Sequence, residues 1–152
     1  MHPLPAAPSW SESDFLTLRY RPDLHLLVGR WQRPVSGTEL RQGYRALLRA
    51  AQETNCPYWQ LDLRGRNAPD GPTQQWLTTE FLPRLPEQLG SGVCLGYLLS
   101  PMMLAALPSP AEGASRVAFF TEEGPLTAWL TQCQHRSRAA LAKAGFMPPP
   151  AA

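Results

Sequence analysis

Apolar side chains recur along this chain with two different periods, and the switches between them outline its elements. Phe15-Leu16-Thr17-Leu18-Arg19-Tyr20 alternates apolar and polar positions, Arg21-Pro22-Asp23 supplies a turn, and Leu24 to Trp31 follows as a second apolar run. An antiparallel strand pair is predicted there. Ser36-Gly37-Thr38-Glu39 then offers a capping box, in which the Ser36 hydroxyl and the Glu39 carboxylate satisfy free amides at a helix start. Leu40, Tyr44, Leu47, Leu48 and Ala51 repeat at helical spacing, which predicts one apolar stripe running to about Thr54.

Tyr58 to Leu63 reads as a third strand, and Gly71-Pro72 starts its helix, since proline in a first turn needs no amide donor. Trp76, Leu77, Phe81, Leu85 and Leu89 supply the buried face of that helix, with kinks expected at Pro83 and Pro86. Val93 to Leu99 is apolar on both faces, as a central strand covered from two sides should be. A short helix over Pro101–Leu107, a loop over Pro108–Ser115 and a strand over Arg116–Thr121 follow. A last helix capped by Thr121 carries Leu126, Trp129, Leu130 and Cys133 and is expected to stop at Gly145. This order predicts a single α/β domain over residues 14–145, with a mostly parallel mixed sheet of about five strands, packed helices and right-handed crossovers. Residues 1–13 and the Pro-rich 146–152 read as flexible extensions.

Composition narrows the function classes. Of 152 residues 43% are hydrophobic, enough for a core, and the net charge of +2 is too small to imply nucleic-acid binding. Cys56, Cys94 and Cys133 are odd in number and widely spaced, which supports neither a disulfide framework nor a metal site and fits a cytoplasmic location. His2, His25 and His135 lack partners at ligand spacing, so no metal or other cofactor is expected. Met1-His2-Pro3-Leu4-Pro5 lacks a basic start and an apolar run, and Val93–Leu107 is broken at Ser100-Pro101, so neither a secretory signal nor a membrane span is expected. Cys94 on a central strand would be a poor nucleophile, and no catalytic constellation is legible.

Leu61-Asp62-Leu63, followed at fixed distance by Asp70 and a helix, together with the order of elements from about Phe15 to Cys133, resembles the STAS-like domain of anti-sigma-factor antagonists, a fold also similar to that of Sec14-type lipid carriers. In that family the third strand ends in a pattern like Leu-Asp-Leu-Ser-Gly and an Asp-Ser-Ser-Gly segment starts the next helix. Asp62 and Gly65 match the strand end and Asp70 the acidic residue before the helix, whereas Gly71 and Pro72 occupy the two serine positions. The phosphorylatable serine is therefore absent. Thr73, one position later, offers a hydroxyl, although a threonine at a helix start ordinarily bonds the local backbone. The resemblance implies a non-catalytic signalling or protein-interaction module that binds a protein partner or a second copy of itself.

Two candidate surfaces follow. Asp62, Arg64, Arg66, Asp70 and Thr73 surround the end of the third strand, where open α/β sheets bind ligands, and could hold an anion or a partner. The plainer reading is that Asp70 caps the helix, Asp62 pairs with an arginine, and both arginines are solvated. Trp76, Phe81 and Met102 could instead line an apolar pocket for a small molecule or lipid, although core packing explains them more simply. An exposed methionine in Met102-Met103-Leu104 would mark a groove or a subunit contact. Arg41, Arg45 and Arg49 share one helix face, either as its watery side or as a dock for an acidic partner.

Overall fold

A computed structural model describes residues 9–10, 13–90, 92–108 and 116–143. Its six strands are β1 (Ser9–Trp10), β2 (Leu16–Arg21), β3 (Leu26–Trp31), β4 (Tyr58–Asp62), β5 (Cys94–Leu98) and β6 (Arg116–Phe120). They lie in the sheet in chain order, with the β1–β2 and β2–β3 pairs antiparallel and β3 through β6 parallel. The expected mixed, mostly parallel α/β architecture is thus present. Ser9 and Trp10, assigned from sequence to a flexible extension, pair with Arg19 and Leu18. The tail 146–152, the stop at Gly145 and most of the loop before β6 lie outside the described residues.

α1 (Gly37–Thr54) begins with the capping box read from sequence: the Glu39 amide donates to Ser36 Oγ at 3.2 Å and the Ser36 amide to Glu39 Oε1 at 3.0 Å. Asn55 ends it in the left-handed region that suits asparagine. The kink expected at Pro83 takes a specific form. After α2 (Gly71–Trp76) the helix widens to a π turn (Leu77–Phe81), tightens to a 3₁₀ turn (Leu82–Arg84), and resumes as α3 (Leu85–Leu89). Proline cannot donate an amide and its ring crowds the carbonyl four residues back. The Leu82 amide accordingly reaches the Leu77 carbonyl across the wider turn. α4 (Pro101–Ala106) follows β5, and α5 (Glu123–Lys143) follows β6, starting two residues beyond the expected cap at Thr121. His25, expected inside a strand, lies in the β2–β3 turn at φ 51°.

The register divides the sheet into two faces. Leu18, Gly29, Leu61, Tyr97 and Phe119 form one cross-strand row, and α1 covers this face with Leu47 against Gly29 and Tyr44 bonded to Tyr97. The next row, offset by one residue, turns the other way. On that face α5 lays Leu126 against Gly96, and Trp129 meets Phe120 at 5.9 Å. β5 is buried along its whole length, with α5 packed on one face and Tyr44 of α1 reaching Tyr97 on the other.

Gly43 of α1 is where the helix meets the sheet most closely, since a methyl there would lie 2.3 Å from a ring carbon of Trp31. Alanine normally improves a helix interior by about 1 kcal/mol over glycine. Here the buried indole cannot yield, so Gly43→Ala should lower unfolding free energy by about 1–3 kcal/mol in a urea titration. Unchanged or greater stability would contradict this packing.

Candidate functional site

The β4–α2 connection carries three of the five polar residues singled out from sequence, with Asp62 at the end of β4 and Thr73 in α2, but the fold does not gather them into one crevice. Strand order runs through the sheet without reversal, so no topological switch point opens beside β4 as it would in a doubly wound sheet. The loops over the strand ends are instead tied together. Asn67 Oδ1 accepts the Val35 amide at 2.8 Å and its Nδ2 donates to the Val35 carbonyl at 3.3 Å. Gly65 comes so close to β3 that a Cβ would stand 2.7 Å from the Trp31 carbonyl oxygen.

Arg64 and Arg66, read from sequence either as a joint anion or partner site or as solvated loop residues, go to opposite faces of the sheet. Arg64 turns toward the α5 side, where its Nη2 and Nε donate to Asp62 at 2.9 and 3.1 Å and its amide reaches the same carboxylate at 3.0 Å. Arg30 adds an ion pair to Asp62 at 3.5 Å, and Glu123 lies 3.8 Å from Arg64. Burial pushes the Asp62 carboxyl up, but the bonds from Arg64 and the charges of Arg64 and Arg30 outweigh it and hold the pKa below its ordinary 3.8.

Arg66 is only 6% exposed, which corrects its reading as a surface contact. Its guanidinium carbon stacks 4.9 Å over the Trp31 ring, its Nε donates to the Asn67 carbonyl at 3.3 Å, and its Nη1 has no hydrogen-bond partner among the described residues. Trp31 Nε1 is likewise buried without one. Next to this stack, Tyr44 and Tyr97 share a buried hydroxyl bond of 2.9 Å. Burial, with Tyr44 adding to it, raises the Tyr97 pKa well above 10.0, while the Arg66 charge opposes the rise. Sequence reasoning placed Trp31, Tyr44 and Tyr97 in the apolar pattern. The one signal to the contrary is that buried tyrosine and tryptophan carry polar atoms that need partners.

Asp70 does what the plainer reading expects: it precedes α2 and accepts the Thr73 amide at 2.8 Å, and hydrogen bonds from the Thr73 hydroxyl and amide lower its pKa. Thr73 is 3% exposed and packs against Gly37, where a Cβ would lie 2.5 Å from its hydroxyl oxygen. A hydroxyl so enclosed is not presented to a kinase in this fold. Trp76, Phe81 and Met102, expected to line one apolar pocket, have different surroundings. Phe81 is buried between Trp76 and Tyr44, at ring separations of 5.2 and 5.3 Å, whereas Met102 is 84% exposed. Arg41 and Arg45 sit over the Trp76 ring at 5.3 and 5.9 Å, so the arginine stripe of α1 is partly committed to covering it. A groove of about 220 Å³ lies elsewhere, between Leu16 and Leu18 of β2 and Gln42, Gly43, Ala46 and Arg49 of α1.

Burial raises the Cys56 thiol to about 11, and burial beside Cys133 raises Cys94 further. Among the described residues no three His, Cys, Asp or Glu side chains come together to hold a metal, and no helix is long and apolar enough to cross a membrane. Comparison with protein-family models, curated proteins and solved structures found no match to this chain.

Two expectations follow from Asp62 and Arg66. The depressed Asp62 pKa stabilises the fold above the carboxyl's ordinary 3.8, and that contribution is lost as pH falls through the folded pKa. Asp62→Asn should lower stability at neutral pH by about 1–2 kcal/mol and flatten the loss seen below about pH 4 in circular-dichroism melts. An unchanged acid limb would remove Asp62 from this role. Arg66→Met keeps a flexible stem over Trp31 and removes a buried charge, so its stability should stay within about 1 kcal/mol of the parent. Arg66→Ala exposes the indole and should cost about 1–3 kcal/mol in the same melts; equal effects of the two variants would contradict the stacking role.

Proposed function

We propose that this chain is a non-catalytic, STAS-like protein-interaction module of the cytoplasm that has lost the phosphorylation switch. The order of elements from β2 to α5 supports this reading, as do Asp62 at the strand end and Asp70 before the next helix. Glycine and proline stand in the serine positions and Thr73 is enclosed. Engagement of the partner is then controlled by its concentration and affinity rather than by phosphate.

The observation that carries the proposal is the surface of α4. Met102 is 84% exposed and Leu104 41%, while Met103 between them is buried and anchors the helix. Ser100 Oγ accepts the Met103 amide at 3.2 Å and fixes the first turn. Apolar side chains displayed on a capped helix are suited to serve as anchors for another protein, and methionine adapts to the shape of its partner. Arg64, on the loop after the adjoining strand, gives the same end of the sheet a half-exposed cation.

A small apolar ligand is the second reading, and the groove between β2 and α1 is the observation in its favour. Its volume of about 220 Å³ falls below the roughly 300–1,000 Å³ of ordinary ligand pockets. The interaction reading therefore stands first. Met102→Asp should leave the melting curve of the protein unchanged and abolish recovery of proteins that the parent chain retains from a cell extract. Identical recovery by both would discard the α4 surface, and a small molecule retained in native mass spectrometry of both would favour the groove.

A further inference from the structure

β6 is an edge of the sheet, and its backbone shows which of its residues are free to pair. The Arg116 amide donates to the Val93 carbonyl at 2.9 Å, and the Phe120 carbonyl accepts the Leu99 amide at 2.7 Å. Backbone groups alternate sides along a strand, so Arg116, Ala118 and Phe120 face β5 while Val117 and Phe119 present their amides and carbonyls outward. Among the described residues no strand pairs with that outer side. At the opposite edge β1 covers part of β2. β6, Arg-Val-Ala-Phe-Phe, contains no lysine and no proline, and its one charge, Arg116, stands at its first position, so the rest of the strand is apolar.

We infer that a second copy of this chain pairs antiparallel with β6 about a two-fold axis at Phe119, continuing the sheet through a symmetric dimer. Three features of the strand select this partner and this register. Outward-facing residues must meet outward-facing residues in hydrogen-bonded pairs, which allows Phe119 opposite Phe119 and sets Val117 opposite Thr121, the first residue of the bend after β6. The same register brings Arg116 of each copy toward Glu122 in the bend after the other copy's β6, one cation and one anion flanking each end of the shared strand pair. Both side chains are exposed, and neither has an ion-pair partner among the described residues. Between these positions Ala118 faces Phe120, small against large, and Phe119 forms an aromatic cross-strand pair with its own copy. Moving the axis by one residue to Ala118 keeps the backbone parity but sets Arg116 against Phe120 and leaves Glu122 without its cation. The sequence of β6 and its first following residues is thus complementary to itself, as an isologous interface requires.

This edge is separate from the α4 surface, and the two proposals fail separately. Sedimentation equilibrium of the full chain over a wide micromolar range should show a dimer. Arg116→Glu and Glu122→Arg should each weaken it by at least about tenfold through like-charge contacts, and the double exchange should restore it. Val117→Pro removes an outward amide that no other strand among the described residues uses, so it should give a folded monomer. A parent chain that is monomeric throughout, or a dimer that survives Val117→Pro, would overturn the inference. A double exchange that fails to restore association would overturn the register. Met102→Asp should leave the dimer intact, and its loss in that variant would assign association to α4 instead.

Discussion

The end of the sheet that carries the candidate site is built around the indole of Trp31. Its ring fills the space left by the missing side chain of Gly43, stacks on Phe15 at 6.0 Å and meets Tyr44 at 5.8 Å. Arg66 covers its other side. The Trp31 carbonyl in turn sets how closely Gly65 can pass, and through it the course of the β4–α2 loop. A buried aromatic of this size dominates the local packing, because truncating one typically costs about 3–5 kcal/mol. Two of its contacts need glycine, so α1, β3 and the loop after β4 are interlocked by shape before any polar bond is considered.

That interlock decides what the polar residues can do. The loop touches down on β3 at Gly65, and the residues on either side of it leave in opposite directions. Arg64 joins the Asp62 carboxylate on the α5 face, and Arg66 goes under the roof made by α1. Asp70 is committed to the first turn of α2 and Thr73 to the contact with Gly37. Polar side chains held by their own structure are poor recruits for catalysis, because moving them forfeits the bonds that the fold requires. The groups left without such commitments lie further out, among them the apolar residues exposed on α4 and the outer side of β6.

The sequential strand order has further physical consequences. It puts the helices that follow β3 and β4 together on one face and leaves α5 as the main cover of the other, over β4, β5 and β6. Thr17, Arg19 and Arg30 therefore remain exposed on the α5 side of β2 and β3, where water can solvate them. Such a sheet also has two edges. The short β1 partly covers the first, and the second is the apolar β6, on which the proposed dimer contact rests.

Much of the fold was legible because its determinants act over a few residues. The alternation in Phe15–Tyr20, the stripe from Leu40 to Ala51, the capping box at Ser36 and Glu39, and the Asp70 cap each concern neighbours within one strand or one helical turn. Even the disturbance at Pro83 was foreseeable, since it follows from a missing amide, although its resolution as a π turn was not. The site was less legible. Arg64 and Arg66 differ by two positions and have the same chemistry, yet one is half-exposed and the other buried, because direction in a loop is set by what the backbone packs against. The sequence by itself determined the elements from β2 to α5, their order and the caps at Ser36 and Asp70. Only the tertiary structure decided the order of strands in the sheet, the meeting of Tyr44 with Tyr97 across 53 positions, the burial of Thr73 and Arg66, and the exposure of Met102. These depend on contacts between distant segments, and such contacts take their shape from packing volume rather than from local periodicity.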